Sequence, residues 1–355
     1  MNKKLLGTTA LVSAALISSA AVAEFKVGAD MSATITMGSD KNTNGSNSGT
    51  SVGNETNLLL SGSSDLSNGW KASYSGKIEF DGAATQSAST GNPDHEYELK
   101  IGTGDMYLAF ASDGGQSSRT SMTPFVSYPI GSTANAVTPS KPAFAGDSYI
   151  SGVHQGNNVA IGGKVGDGNV VLRYAPSASS TENDDVATGE NINGGRSATK
   201  GSGFLVAYNG KVGPVGINAS HTVEQAADTS VANVGDAKES RVGLVYSIGA
   251  VKIGADYITY DTGVASDVGD KKTYIVGAAF AVDKNTTVGA YVQSTSDEGA
   301  AGGKQDEDMK MISVGYNLGG GSVALSVVDV EGLGNAANGT SADYQGIMLT
   351  TKVGF

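Results

Sequence analysis

Two short patterns hold residue types that could do chemistry, and the first resembles the start of a calcium-binding loop. Residues 40–45 read DKNTNG, with oxygen-bearing side chains at alternate positions. The twelfth position of such a loop needs a Glu that binds the ion through both oxygens, but here it is Ser51. No helical pattern flanks the segment. We therefore interpret it as a solvated turn and predict no metal site.

The second pattern, GTSVG at residues 49–53, matches the Gly-x-Ser-x-Gly turn that presents a nucleophilic serine. That turn needs a strand before it and a helix after it, whereas the surrounding sequence is rich in Ser and Gly. His95, His154 and His221 lie far apart in the chain, without a partner nucleophile or ligand set. The sequence therefore predicts no enzyme, no catalytic residue and no cofactor.

The charged residues do not form motifs of a catalytic or metal site, but they recur at every second position in parts of the chain. In residues 69–81 the apolar side chains of Trp70, Tyr74, Ile78 and Phe80 alternate with polar ones such as Lys71 and Lys77. Alternation of this kind separates the two faces of a β-strand, whereas a helix would place these residues on all sides. The charges thus occupy one face of an extended segment.

Composition agrees with a sheet that is wet on one face. Apolar residues make up 39%, Gly numbers 51, and Cys is absent among 355 residues. Lys3 and Lys4, an apolar run to Ile17 and the small residues 21–23 (AVA) form a secretory signal peptide. We expect residues 1–23 to be removed and residues 24–355 to form one domain. The net charge of −12 argues against a nucleic-acid partner.

Strand-like alternation recurs in sixteen segments. Most are long enough to cross a bilayer as tilted strands, which takes about 9–11 residues. The predicted strands are 24–38, 54–64, 69–81, 94–102, 105–112, 157–165, 168–175, 201–209, 213–224, 238–248, 250–261, 272–282, 286–295, 308–318, 321–330 and 342–355.

The connections alternate between short and long. Short ones, such as residues 166–168, 210–213, 283–285 and 319–321, contain residues that favour tight turns. Long ones, such as 39–53, 176–200 and 296–307, are rich in Ser, Thr, Asn, Asp and Gly. This pattern is typical of an antiparallel meander whose two ends face different compartments. Aromatic residues near both strand ends then indicate two membrane interfaces.

A transmembrane β-barrel of sixteen strands follows, and its polar face lines a lumen wide enough for water. That face combines charges with small residues such as Gly243, Gly277 and Gly315. The predicted pore-wall charges are Lys26, Asp30, Lys71, Lys77, Lys100, Arg173, Arg241 and Asp256.

One connection is much longer than the others. It runs from Asp113 to Gly156 and contains four of the seven prolines together with Phe125, Tyr128, Phe144 and Tyr149. Loops beyond about 15 residues are uncommon unless they are functional. Its prolines and aromatic residues favour a packed loop.

With its signal peptide, sixteen strands, long third loop and terminal aromatic residue, the chain resembles the general porins of Gram-negative outer membranes. In that family the third loop folds into the barrel and narrows it, and some members carry Pro-Glu-Phe-Gly-Gly-Asp there. Residues 142–147 read PAFAGD, which is similar at Pro142, Phe144, Gly146 and Asp147, with Ala143 in place of the acid. The resemblance implies a constriction loop with the charges Asp113, Arg119, Lys141 and Asp147.

The resemblance also implies a homotrimer in the outer membrane, inserted by the barrel-assembly machinery and in contact with lipid and lipopolysaccharide. Small hydrophilic solutes and ions would diffuse through it passively. Lys71, Lys77 and Lys100 have two readings, scattered solvated charges or a basic wall that faces the third loop. The acidic residues of the seventh loop are either solvated or bridge divalent cations to anionic lipid head groups, and they are Asp297, Glu298, Asp306, Glu307 and Asp308.

Two other functions remain open at this stage. A substrate-selective channel would be favoured by a dense row of aromatic residues in the lumen, but only Tyr107, Tyr260, Tyr291 and Tyr344 have that parity. A secreted β-sandwich adhesin would instead show repeats near 100 residues.

The last segment, 342–355, alternates up to Phe355. In a closed barrel it must pair with the first strand, which places Phe355 in the aromatic girdle on the short-turn side. By resemblance, this residue is also the signal read by the insertion machinery.

Overall fold

A computed structural model gives the architecture of the chain. It describes residues 24–40, 49–66, 69–81, 94–112, 158–176, 200–226, 235–263, 269–298, 305–333 and 342–355. No helix in these ranges has both the length and the apolar character to cross a membrane.

Sixteen antiparallel strands form one closed barrel in which each strand pairs with its neighbours in the chain, and the last pairs with the first. The predicted fold class is confirmed. The strands are β1 (Glu24–Asp40), β2 (Gly49–Asp65), β3 (Lys71–Asp81), β4 (Asp94–Gly102), β5 (Met106–Ser112), β6 (Asn158–Val165), β7 (Gly168–Ala175), β8 (Lys200–Val212), β9 (Val215–Ala226), β10 (Ala237–Ile248), β11 (Val251–Asp261), β12 (Asp270–Ala281), β13 (Thr286–Glu298), β14 (Gln305–Asn317), β15 (Gly321–Leu333) and β16 (Ala342–Gly354).

Two predicted connections were wrong. Residues 49–53 belong to β2, so the Gly-x-Ser-x-Gly pattern lies inside a strand and lacks the strand-turn-helix context of a nucleophile. Gly210 to Val212 belong to β8, and the turn is Gly213-Pro214. The backbone of Gly213 has a φ of 59°, a left-handed conformation that costs glycine little and lets two residues join the strands.

The barrel closes between β1 and β16, in register from Asp30 opposite Gly354 to Asp40 opposite Tyr344. The Phe355 N–H donates to the Ala29 carbonyl oxygen at 2.8 Å, and the Ala29 N–H donates back to the Phe355 oxygen at 3.2 Å. Its ring is 83% exposed on the outer face. The predicted pairing of the first and last strands is therefore confirmed.

The two faces of the sheet differ as the alternation predicts. Large apolar side chains on one parity stand exposed on the outside, for example Val242, Leu244 and Ile312. Aromatic rings on this face lie toward both strand ends. On the loop side, meaning the end with the long connections, Tyr257 and Tyr274 have ring centroids 4.7 Å apart, and Tyr174 and Phe204 have theirs 4.9 Å apart. The turn side carries Tyr246, Phe280 and Tyr316 among others.

An acidic residue orders the short turn between β12 and β13. Asp283 accepts hydrogen bonds from the backbone N–H groups of Asn285 and Thr286 at 2.7 and 2.8 Å, and from the Thr286 hydroxyl at 3.0 Å. These donors favour the ionised carboxylate and lower the pKa of Asp283. The stabilisation is therefore present above the ordinary pKa of an aspartate and is lost as the pH falls through the lowered value.

Candidate functional site: the inner wall of the barrel

Where the barrel closes, an ion pair and a hydrogen bond connect inward-facing side chains of three adjacent strands. The Lys352 ammonium lies 3.4 Å from one carboxylate oxygen of Asp30. The Asn57 amide donates to the other oxygen at 2.9 Å, and Asn57 is buried. One carboxylate thus ties together β16, β1 and β2 from inside the lumen.

Lysines and glutamates lie side by side on β3 and β4. The register places Lys77 opposite Glu96, and their charged groups are 2.9 Å apart. On β4 itself, the Lys100 ammonium lies 3.3 Å from a carboxylate oxygen of Glu98. The same ammonium is 4.3 Å from the centroid of the Tyr107 ring. Each lysine therefore has a carboxylate beside it, so this part of the wall is locally close to neutral.

The Tyr107 ring lies flat over β6, because Gly162 opposite has no side chain. A Cβ at Gly162 would collide with the ring. Beneath and beside the ring pack Ala109, Ala160 and Val171. The ring is thus held where it supports the Lys100 ammonium through its π face.

Arg173 on β7 continues the charged wall and is only 2% exposed. Its Nη1 donates to the Asn158 side-chain oxygen at 2.7 Å. Farther around, Glu239 and Arg241 on β10 lie 4.0 Å apart, near Glu224 of β9 and Asp256 of β11. On β9 to β11, Glu239 and Asp256 therefore flank one guanidinium, and Glu224 adds a third carboxylate diagonal to Glu239. We define the charged sector by ten inward side chains, namely Asp30, Lys77, Glu96, Glu98, Lys100, Arg173, Glu224, Glu239, Arg241 and Asp256.

From β11 to β16 the inner wall holds a large apolar cluster between polar side chains such as Thr273, Gln293 and Ser313, and the alternation in the sequence did not predict this cluster. Met309 and Val328 on β14 and β15 have no exposed surface, and Ile275 on β12 is 1% exposed. The Tyr291 hydroxyl lies 3.7 Å from the sulfur of Met309. We call this cluster the apolar sector, and it consists of Ile258, Ile275, Ala279, Tyr291, Met309, Met311, Val328, Val330 and Met348.

The apolar sector faces the root of the longest connection. Seven strands lie between β5 and β13 in either direction around the ring of sixteen. Residues 113–157, which join β5 to β6, therefore start on the opposite side of the lumen from the centre of this sector. Sixteen strands about 4.8 Å apart and tilted about 40° enclose a width of about 30 Å. A connection of this length can span that distance.

The predicted wall residues do not all belong to one group. Asp30, Lys77, Lys100, Arg173, Arg241 and Asp256 lie in the charged sector. Lys26 is highly exposed near the turn side, with its ammonium 2.9 Å from Glu24. Lys71 lies at the turn-side end of β3 and is also exposed. The predicted loop residues Asp113, Arg119, Lys141 and Asp147 are outside the described residues, as are residues 41–48 of the calcium-like pattern.

Comparison with protein families decides what such a barrel is. The Gram-negative porin family matches residues 7–331. The chain belongs to the Gram-negative porins. A search of curated proteins found no match. Among solved structures, the porin resembles the anion-selective porin of Comamonas acidovorans, with 13% identity, a TM-score of 0.66, and coverage of 94% of this chain and 100% of that one.

Two variants of the Rh. blastica porin are also similar to this porin. Each has 16% identity and covers 94% of this chain and 100% of the other, with TM-scores of 0.58 and 0.59. These likenesses show the same fold. The family shows that the porin forms an outer-membrane channel for passive diffusion, with the inner wall as the surface along which solutes pass.

Other candidate groups are placed away from this wall in the porin. His221 lies on the outer face of β9, where its Nδ1 is 2.8 Å from the Ser240 hydroxyl. In the described part of the chain, no three His, Asp or Glu side chains are arranged to hold a metal ion.

Proposed function

We propose that this porin is a general diffusion pore, without enzymatic activity, whose lumen is narrowed by residues 113–157. The observation that carries the proposal is the apolar sector. Met309, Met311 and Val328 are at most 1% exposed, although they point into a lumen about 30 Å wide. Inward charged side chains are nearly as buried, for example Arg173 at 2% and Arg241 at 4%, so burial alone does not set this sector apart. Its apolar side chains, unlike the charged ones, gain stability from a covering layer, and this is the reason to place one here.

The segment from 113 to 157 has the composition to cover it. It supplies Phe125, Tyr128, Phe144 and Tyr149 with four prolines, which suits a packed apolar layer. Asp113, Arg119, Lys141 and Asp147 would then stand between this layer and the charged sector. Residues 1–23 would be removed on export, the mature protein would act as a homotrimer, and its partners would include lipid, lipopolysaccharide and the barrel-assembly machinery.

A substrate-selective channel is less well supported. It would need a row of aromatic rings open to the lumen. Tyr260 and Tyr291 have the right parity, but they are only 4% and 3% exposed and pack among apolar neighbours.

Swelling of proteoliposomes in isotonic sugar solutions tests the general pore. We expect uptake rates that fall smoothly from arabinose to stachyose, because passage through a water-filled constriction depends on solute size. A single sugar that enters far faster than smaller ones would contradict the proposal and favour selectivity.

Charge reversal at Lys77 tests the role of the charged sector. In Lys77→Glu, two acids replace an ion pair. Two charge units about 8 Å from a permeating ion in water amount to about 1 kcal/mol, favourable for a cation and unfavourable for an anion, so the cation-to-anion permeability ratio should rise about 30-fold. Reversal potentials under a salt gradient measure this, and we expect the effect to shrink at high salt.

Lys238→Glu is the matched control for Lys77→Glu. It makes the same charge change on the outer face of β10 and should leave the ratio near that of the parent, for which we expect a weak cation preference. Equal shifts in the two variants, or an anion-selective parent, would contradict a role for the charged sector.

Deleting Phe355 separates its interfacial role from its role in assembly. One exposed ring and two backbone hydrogen bonds are a small part of the sheet, so refolding into detergent should remain largely intact. In cells we expect less protein in the outer membrane and more in the periplasm. Insertion equal to that of the parent would contradict the assembly role, and Phe355→Tyr, which keeps a terminal aromatic, is the control.

A further inference from the structure

Charge is distributed unequally between the two ends of the barrel. The turn side comprises the short turns and the three strand residues next to each of them. In the described part of the chain it holds eight lysines and five carboxylates, a net side-chain charge of +3. The loop side comprises the last three residues at the other end of each strand and the described residues just beyond them. It holds five cations and sixteen carboxylates, a net charge of −11.

Lysines of the turn side face the lumen. Lys252 lies opposite Ala279 of the apolar sector, and Lys211 has the same parity on β8 as the buried Ala207. Inward lysines at this level are spread around the whole ring of strands, on β1, β3, β6, β8, β11 and β16. They are Lys26, Lys71, Lys164, Lys211, Lys252 and Lys352. Positive charge therefore encircles the turn-side mouth.

Half of these six lysines have a carboxylate close by. Ion pairs of 2.9 to 3.6 Å offset the charges of Lys26, Lys164 and Lys352 locally. Within the described part of the chain, the other three are exposed and form no ion pair, and they are Lys71, Lys211 and Lys252. The field at this mouth therefore comes mainly from these three ammonium groups.

The loop side presents the opposite charge to the same lumen. Glu224 and Glu239 lie on the inner faces of β9 and β10, and Glu307 has inward parity on β14. Fixed carboxylates raise the local concentration of cations, and fixed ammonium groups raise that of anions. The two mouths of the pore are thus enriched in ions of opposite sign.

We propose that this axial asymmetry makes the pore conduct unequally in the two directions, with the larger current when the loop side is electrically positive. At that polarity each ion enters through the mouth where it is enriched, cations from the loop side and anions from the turn side, so both fill the lumen. At the opposite polarity each ion must enter through the mouth that repels it. The inference rests on the proposed water-filled diffusion pore.

The size of the asymmetry depends on salt. The charged groups lie about 15 Å from the pore axis, which is about one and a half Debye lengths at 0.1 M salt. At that distance their summed potential amounts to about a two-fold difference in current between equal and opposite voltages. At about 1 M salt the Debye length is about 3 Å, so the two currents should be equal.

Two sets of charge reversals test the inference in single-channel recordings at about 0.1 M salt. The first set combines Lys71→Glu, Lys211→Glu and Lys252→Glu. The second set reverses three exposed carboxylates of the loop side and combines Asp236→Lys, Asp306→Lys and Glu331→Lys. Each set lowers the difference between the two ends from 14 to 8 charges. We expect each to lower the current ratio from about two to about 1.5.

Both sets combined give the decisive variant. Its six reversals leave the net charge of the protein unchanged, while the net charges of the two ends become −3 and −5. We expect nearly equal currents at the two polarities. A ratio that stays near that of the parent would show that the asymmetry does not come from the charges at the two ends, and it would overturn the inference.

A biotin on Gly320→Cys shows which chamber faces the turn side. A Cβ at Gly320 would meet no described atom within 4 Å, and the chain has no other cysteine. Streptavidin is too large for the lumen, so it binds only from the turn-side chamber. Equal currents in the parent at low salt, or a larger current with the loop side negative, would overturn the inference and leave the pore intact. Absence of conductance steps would overturn the proposed pore and the inference together.

Discussion

Deleting residues 124–142 is expected to raise the single-channel conductance roughly two-fold, since a barrel of sixteen strands is wide enough to leave an aqueous channel once its lumen is cleared. The deletion removes Phe125 and Tyr128 and all four prolines of this connection. The strands that it joins, β5 and β6, keep their pairing with each other and with their neighbours. Planar-bilayer recordings of the refolded variant measure the change.

A deletion in another long connection serves as the control for the first prediction. Removing residues 180–195, between β7 and β8, takes out a stretch of similar length that contains no aromatic residue. We expect its conductance to stay close to that of the parent. If the correctly folded 124–142 variant also conducted like the parent, this connection would lie outside the channel.

Replacing Met311 by Glu should have the second largest effect. Met311 is 1% exposed in the apolar sector, and a carboxylate buried there without a partner costs several kcal/mol. The cheapest relief is to separate the covering layer from the wall and let water reach the carboxylate. We therefore expect a higher conductance with frequent transitions between levels, in a barrel that still forms because its backbone ladder is untouched.

Met311→Leu is the matched control, because it keeps the apolar character and nearly the volume of the side chain. Its recordings should match those of the parent. A folded Met311→Glu variant with steady, parental conductance would show that the layer covering the apolar sector is not part of the constriction. That result would remove the main support for an inward-folded third loop.

The strands were predictable because a wall between lipid and water imposes a period of two on the sequence. All sixteen predicted segments correspond to strands, and 94–102 and 168–175 match them residue for residue. The predicted strand ends are wrong where the strand no longer separates lipid from water. β2 begins at Gly49 and β14 at Gln305, before the predicted starts at 54 and 308. These extensions lie at the loop side, where both faces are polar and alternation disappears.

The inner wall was less predictable. Parity assigns Met309 and Met311 to the face opposite Ile312 and Val314, but it does not say whether that face meets water or another part of the protein. The apolar sector was therefore missed, although a run with apolar residues on both faces, as in β15, was the available signal.

Ion pairing was also hidden from the sequence. Lys77 and Glu96 are 19 positions apart, and only the register of β3 on β4 brings them together. The alternation along β3 alone shows that Lys77 faces the lumen, and it therefore suggested an unpaired charge on a basic wall. The register instead shows a mixed wall, with paired charges on β3 and β4 and an excess of carboxylates on β9 to β11.

Single-channel conductance as a function of salt concentration tests the central claim, a water-filled pore for unselective diffusion, most directly. Purified protein in planar bilayers should give uniform steps whose size rises in proportion to salt concentration, since ions cross such a pore much as they move in bulk solution. A conductance that saturates at low salt, or that a particular small solute blocks, would reveal a binding site in the lumen and contradict general diffusion. Absence of any steps from folded, inserted barrels would contradict the pore itself.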